Sequence, residues 1–408
     1  MTNKKANIHC DITIVGAGLV GLAAAVALQQ EGYAVTLVDA QHPINSSEEL
    51  DANSQDVTQN WDQRIYAISP RNALWLTSLG AWPLLDSTRI CKMQGMEIWD
   101  DAAQEPLSLS ADDANAEYLG FIVEEKALKQ ALSQRAEALR VGTYFASPCA
   151  NLNISGHQTI LHLANNQVIE SELLLAADGA NSWVRQQMDI AVQEKPYHQT
   201  AIVANFVVEK SHANIARQWF TQDATGESYI MAWLPLPDKK VSIVWSVSTQ
   251  YAETLLNLTD AEFTEQVMAA GSHRLGEFKL LDSPTAFPLI LKKSDVFTQD
   301  CVVLIGDAAH RIHPMAGQGV NLGFRDVMDL LEILKTKSPY QSVHDNSLLK
   351  RYTRIRKADM LNMLMLTDGL YYLFENHHHT LKKIRQWGFL MAKSKIAKKT
   401  LVANAIAL

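Results

Sequence analysis

The 408-residue chain is poor in cysteine, and its four (Cys10, Cys91, Cys149, Cys301) lie tens of residues apart with no Cys-x-x-Cys pair. That excludes a disulfide framework and a zinc site of the usual spacing, and it fits a reducing compartment. No apolar run reaches the ~18 residues needed to span a bilayer. There is no internal repeat and no low-complexity tract, so neither a solenoid nor a disordered chain is expected. What is present, 47% hydrophobic and 20% charged residues, suits a packed globular protein of two or three domains. Lys4 and Lys5 before "IVGAGLVGLAAAVAL" have the look of a signal peptide. The glycine spacing and the lack of a small-residue cleavage site before "QQEGY" argue against one, so a cytoplasmic protein is expected.

The formal net charge of −8 conceals an asymmetry. From Ser347 onward there are 12 Lys and Arg against 3 Asp and Glu, so an acidic body carries a basic tail. No nucleic-acid-binding motif accompanies that charge. A basic, aromatic-rich helical segment on an acidic body is expected to dock on an anionic membrane or an acidic partner. The alternative is a helix packed on the body with its lysines in water.

Along the chain, "DITIVG", a helix from Gly18 to about Gln30 and "AVTLVD" make a βαβ opening. Residues 45–60 are polar and aperiodic and are expected to form a loop. "RIYAIS", a short helical stretch, "MEIWDD", "YLGFIV" and the helix at "EEKALKQALSQRAEAL" follow. The middle, "TAIVANFVVEK", "SYIMAWLPL" and "KVSIVWSVS", reads as antiparallel sheet, and the tail from Ser347 as helix.

Gly16, Gly18 and Gly21 in "GAGLVG" form the pattern GxGxxG between strand and helix. The first permits a tight turn, the second lets a pyrophosphate approach the backbone, and the third lets helix pack on strand. Asp39 ends the second strand, where a carboxylate accepts ribose hydroxyls and repels a 2′-phosphate, so FAD or NAD is expected rather than NADP. The other outcome is a glycine-rich turn that binds nothing.

Two further turns stand out. "AADGANSWVR" contains Asp178-Gly179, which is either part of a ligand site or a plain turn with Ser182 as N-cap of a short helix. "GDAAHRIHPMAGQGVNLGFRDV" follows the apolar strand "CVVLI". Asp307, His310 and His313 invite a metal reading, but Pro314 and the glycines would break the helix their spacing needs, so no metal is expected. His377 to His379 are adjacent and so point to different sides of a helix.

These three motifs in this order resemble the flavin-dependent aromatic hydroxylases of the para-hydroxybenzoate hydroxylase type. More narrowly, with "RIYAISP", "GFIVEEKALKQAL", "GQGVNLGFRDV" and "GFLMAKSKIAKK", the chain resembles the ubiquinone-biosynthesis hydroxylases of the UbiH/UbiF group over nearly its whole length. The resemblance implies an α/β (α+β) fold: a Rossmann-like FAD-binding domain, an interleaved antiparallel β-sheet substrate domain and a helical C-terminal tail. The boundaries expected are 1–72, 96–186 and 286–346 for the first, 73–95 and 187–285 for the second, and 347–408 for the tail.

It implies one extended FAD, its ADP half on the GxGxxG turn and its flavin end at the second glycine-rich motif. Asp307 would bind the ribityl side, Pro314, Gly317, Gln318, Gly319 and Asn321 would approach the ring, and Arg64 would lie at the FAD. Asp178, Gly179 and Arg185 match a motif used for FAD and for a transient nicotinamide cofactor. With no second GxGxxG, NAD(P)H is expected to visit without its own domain. Relatives commonly have Glu-Asn where this chain has Glu124-Glu125, so Glu125 is left without a role, and no catalytic base is named.

The activity implied is insertion of one atom of O₂ into a lipophilic polyprenyl-phenol on the way to ubiquinone. The alternatives are a flavin reductase or dehydrogenase on the same fold, and a non-catalytic FAD-bearing subunit of a quinone-biosynthesis assembly. Between Thr200 and Val247 the strands carry Trp219, Phe220, Tyr229, Trp233 and Trp245. Most of these are expected in the sheet's own core, with the sheet walling one side of the substrate pocket.

Overall fold

The computed structural model describes residues 7–43, 61–100, 105–222, 226, 228–311, 319–375 and 391–407, with 366–375 and 404–407 described for their backbone alone. The chain opens with β1 (Ile8–Val15), α1 (Leu19–Gln30) and β2 (Val35–Val38). Every residue of α1 from Gly21 to Leu28 is buried. A helix that is apolar all round belongs inside a layer, and β2, buried along its length, is a central parallel strand.

There follow β3 (Ile65–Ile68), α2 (Pro70–Ser78), β4 (Cys91–Met93), β5 (Gly95–Asp100), β6 (Leu107–Ser110), β7 (Gly120–Glu124) and α3 (Glu125–Ala138). Next come β8 (Gly142–Tyr144), β9 (Cys149–Ser155), β10 (Gln158–Leu163), β11 (Val168–Ala176) and α4 (Trp183–Gln187). The middle holds β12 (Val192–Val208), β13 (Ile215–Gln222), β14 (Ser228–Leu236), β15 (Lys240–Ser248), α5 (Thr249–Leu256), α6 (Asp260–Ala270), β16 (Phe278–Leu280) and β17 (Thr285–Ser294). The chain ends with β18 (Thr298–Gln299), β19 (Val302–Leu304), β20 (His310–Arg311), α7 (Gly319–Lys335), α8 (Asn346–Glu375) and α9 (Lys395–Ala407).

Among the described residues these strands form three sheets. The first has the order β18-β19-β11-β1-β2-β8, parallel from β19 to β8, with β10 antiparallel on β11 and β9 antiparallel on β10. The second has the order β20-β17-β12-β15-β14-β13-β5-β6, with β16 on β12; only the pairing of β13 with β5 is parallel. A small antiparallel sheet, β3-β7-β4, completes the set.

The expected boundary at residue 96 does not follow the sheets. β5 and β6 belong to the second sheet, whereas Ala73, Leu76, Leu79 and Ala81 are buried in the core of the first. "MEIWDD" is legible as a strand, but its partner β13 lies far along the chain, where Arg217 Nε stands 3.0 Å from Glu97 Oε2. Strand pairing at that separation leaves no local trace.

The second sheet has two apolar faces. One carries Trp219, Trp233 and Trp245, with Tyr229 at its edge, packed with Phe263 and Val267 of α6. The other carries Tyr197, Phe220, Ile230 and Leu289 against Leu322 of α7 and Met363 of α8. Neighbouring strand residues point to opposite faces, so Trp219 and Phe220 part company, and only Phe220 of the five aromatics faces the seam between the sheets. β19 lies in the first sheet and β20 in the second, so residues 305–309 cross that seam. At the C-terminus α9 packs on β6 and the turn after it, with Val402 buried beside Ala111 and Leu119. Among the described residues no helix is long and apolar enough to cross a membrane.

Candidate functional site

Three glycines make the first turn, and they differ. Gly16 has φ +105°, and a Cβ on it would stand 2.4 Å from Ala177 O. A Cβ on Gly21 would stand 1.9 Å from Gly16 O. Both are demanded by the fold. Gly18 is not: its φ is −71° and a Cβ there would meet nothing within 4 Å. It is the N-cap of α1, with no side-chain cap and no acidic residue in the first turn. The first N–H groups of the helix, and the positive end of its dipole, therefore face open space.

Asp39, which follows β2, borders that space. Its Oδ2 accepts the Ala17 N–H at 2.5 Å and its Oδ1 the Gln41 N–H at 2.7 Å. The carboxylate is fixed beside the turn, with a lone pair left on each oxygen. A small cleft open to solvent lies here between Ala17, Asp39, Gln41, Lys129 and Phe145.

β11 brings Asp178-Gly179 against the same turn, since the Ala177 carbonyl and the Asp178 nitrogen are what a Cβ on Gly16 would strike. Ser182 does cap α4, accepting the Arg185 N–H at 2.9 Å, and Asp178 Oδ2 accepts the Val184 N–H at 3.0 Å. Asp178 Oδ1, however, is buried with no hydrogen-bond partner among the described residues, and burial pushes the carboxyl pKa up. A capped turn does not account for that oxygen. Gly179, at φ +82°, has open space where a Cβ would go.

Arg185 is buried, and its guanidinium donates to Ala308 O and Ala180 O, each at 2.8 Å. Below the surface a guanidinium is satisfied by the nearest carbonyls, and here it ties the Asp178 turn to the Asp307 turn.

Asp307 stands at the seam. Solvent reaches its side chain, yet protein crowds it on most sides, which raises its pKa against the opposing charges of His310, Arg311 and Arg64. Arg64 is largely exposed, and its Nη1 lies 3.4 Å from Glu125 Oε2. Tyr66 Oη donates to the same oxygen at 3.5 Å. Glu125 is thus paired with Arg64. Glu124 is buried and accepts two bonds of 2.7 Å from Arg89.

Pro314, Gly317 and Gln318 lie outside the described residues, as do His313 and His377 to His379. Gly319 opens α7, and a Cβ on it would meet nothing within 4 Å. Asn321 is fully buried: its Nδ2 donates to Ala67 O at 2.7 Å, and its Oδ1 accepts from Ser69 N at 3.0 Å and Asn72 Nδ2 at 2.7 Å. Its side chain staples α7 to β3 and α2. His310 turns its Nε2 to Asp326 Oδ2 at 2.8 Å.

The turns meet at Val20. A Cβ on Gly306 would stand 3.2 Å from Val20 Cγ2, and one on Gly323 would stand 2.5 Å from it. Segments about 290 positions apart in sequence thus lie side by side. Sequence reasoning missed the residues beneath them: Asp326 and Arg356 are buried and paired. The available signal was the i, i+4 spacing of Tyr352 and Arg356, which sets an arginine on the apolar face of α8.

The chain matches the FAD binding domain family over residues 93–367 and the FAD dependent oxidoreductase family over residues 11–106. It is 34% identical to the 3-demethoxyubiquinol 3-hydroxylase of Escherichia coli, over 96% of both chains. It is 30% identical to the human mitochondrial ubiquinone biosynthesis monooxygenase COQ6, over 93% of this chain and 88% of that one. The crystal structure of pqsL from Pseudomonas aeruginosa shares the fold at a TM-score of 0.74 and 20% identity, covering 94% of this chain and all of that one.

Proposed function

The chain belongs to the FAD-dependent hydroxylases of ubiquinone biosynthesis, and on that premise we propose that it holds one extended FAD and hydroxylates a lipophilic phenol with NAD(P)H and O₂. The observation that carries this reading is the contrast between Gly18 and its neighbours. The fold needs glycine at 16 and 21, whereas at 18 only a ligand needs it.

The donor set fits a dinucleotide with a flavin. The free N–H groups at the start of α1 suit a pyrophosphate, and the remaining lone pairs of Asp39 suit ribose hydroxyls. The unpartnered Asp178 Oδ1 is an acceptor awaiting a donor, and Asp307, whose side chain solvent reaches, suits a ribityl hydroxyl. Arg185 and Asn321 brace this set from behind. Bound FAD supplies the electron transfer and oxygen activation; the protein positions the substrate ring and keeps water out.

The substrate side is apolar. Tyr197, Phe220, Ile230 and Leu289 face α7 across the seam, which favours a prenylated phenol over a small carboxylate. The lack of a second glycine-rich dinucleotide turn fits a nicotinamide cofactor that visits and leaves. α9 presents Lys395, Lys399 and the 82%-exposed Ile396 outward, a face that suits an anionic lipid surface.

The reading is tested by following NAD(P)H oxidation with and without a polyprenyl-phenol. Substrate-stimulated oxidation with a hydroxylated product is expected. Stimulated oxidation without ring hydroxylation would instead favour a reductase, and FAD content with no stimulation at all a non-catalytic subunit.

A further inference from the structure

Behind the Gly306–Asp307 turn lies a group of charges that no step above uses. Asp326 on α7 is fully buried. Its Oδ2 accepts the Gly306 N–H at 2.7 Å and bonds His310 Nε2 at 2.8 Å. Gly306 and His310 flank Asp307, so a single carboxylate oxygen pins the chain on both sides of that exposed residue. An ionised carboxylate only accepts, so His310 carries its proton on Nε2. Burial works against the charge on Asp326, but His310 and Arg356 outweigh it and hold the carboxyl below its ordinary range.

Arg356 on α8, only 1% exposed, supplies the fixed countercharge. Its Nε stands 2.7 Å from Asp326 Oδ1, too oblique for a hydrogen bond, so charge attraction carries the contact. Its Nη1 is 2.7 Å from both Asp329 and Asp359 carboxylates, which aim the guanidinium. One turn earlier on the same face, buried Tyr352 donates from its hydroxyl to Leu304 O at 3.3 Å. α8 therefore grips the strand before the turn directly and the turn itself through Asp326.

We infer that Arg356 is a positioning residue for the cofactor: it acts through Asp326 to hold Asp307 in place, which makes α8 a working part of the flavin site rather than the start of an appended tail. This rests on the proposed FAD site. Without Arg356, Asp326 is a buried charge that lacks the guanidinium beside it, and the simplest relief is for water to enter and the turn to move. Removing both charges leaves no such demand, because Asp329 and Asp359 are about a quarter exposed and can be solvated.

The test is the rate at which holoprotein releases FAD on dilution, read from the rise in flavin fluorescence, beside the melting temperature. Arg356→Met is expected to speed release roughly tenfold or more, the scale on which residues that orient a ligand-holding group act. Phe263→Leu, in the second core far from the turn, should leave release unchanged at a matched loss of melting temperature. Asp326→Asn/Arg356→Met should recover most of the loss, and Arg356→Lys, which keeps the charge and still reports if the methionine variant fails to fold, should fall between. Equal release rates for Arg356→Lys, Arg356→Met and Phe263→Leu at matched stability would overturn the inference. Parent protein that carries no FAD would instead overturn the site on which it rests.

Discussion

Val20 and Gly323 touch so closely that a Cβ on Gly323 would stand 2.5 Å from Val20 Cγ2. Through this contact α1 and α7, which start at opposite ends of the chain, close side by side, with Gly306 in the same gap. Gly323→Ala should cost about 1–3 kcal/mol, as overpacking does. Val20→Ala removes the opposing methyl groups, so the double variant should regain most of that loss. Chemical denaturation of the four proteins checks this, and additive losses would show that the contact is not the cause.

Gly18→Val and Gly21→Ala separate ligand from fold. The first adds a side chain in open space and should leave the melting temperature of flavin-free protein within a degree or two while giving colourless protein, since surface changes usually stay within ~0.5 kcal/mol. The second drives a Cβ into Gly16 O and should destabilise the chain itself. Flavin retained in full by Gly18→Val would mean that the phosphates lie elsewhere.

Asn321→Ala should destabilise the protein by about 2 kcal/mol or more, since it takes their side-chain partner from Ala67 O and Ser69 N–H at ~1–3 kcal/mol each, while Asn72 Nδ2 keeps the residue's backbone carbonyl. Asn321→Asp keeps the two accepted bonds and loses the donated one, so it should fall between. Urea unfolding distinguishes them. Near-neutral behaviour of both would remove the staple.

The raised pKa of Asp178 carries a sign. Its folded pKa lies above its unfolded one, so the native state holds the proton more tightly, and this stability is lost as pH rises through the folded value. Asp178→Asn should therefore make flavin-free protein more stable at pH 7. That advantage should shrink as pH falls into the ordinary carboxylate range near ~4. An advantage that persists unchanged at pH 3 would mean that burial of the charge is not its source.

Much of this was legible in sequence, and the failures share a cause. The βαβ opening, the capped turn at Ser182 and the strand before Gly306 follow from local patterns, and the structure has them. The destinations of polar side chains were not legible. Arg185 and Asn321 sit in motifs that suggest ligands, yet each bonds a partner far along the chain, Ala308 O and Ala67 O, while His310 bonds Asp326 on the helix that follows. Packing that brings distant segments together decides such partners. The same holds for β5, whose strand character is local and whose sheet is not. The tail shows a mixture: Val402 is buried on the body, while Lys395 and Ile396 point outward.

That outward face is expected to give weak, salt-sensitive attachment to anionic vesicles. At ~1 kcal/mol for each basic residue near the surface, two or three lysines give only reversible binding. Co-sedimentation indifferent to both anionic lipid and salt would remove the membrane contact.

The central claim is that this chain, with FAD bound, puts one oxygen atom from O₂ into a phenolic ring. It is tested most directly by supplying ¹⁸O₂, NAD(P)H and a polyprenyl-phenol precursor to the holoprotein and weighing the product. The account predicts one labelled oxygen in the ring. Label recovered in water and peroxide but never in the ring would contradict it.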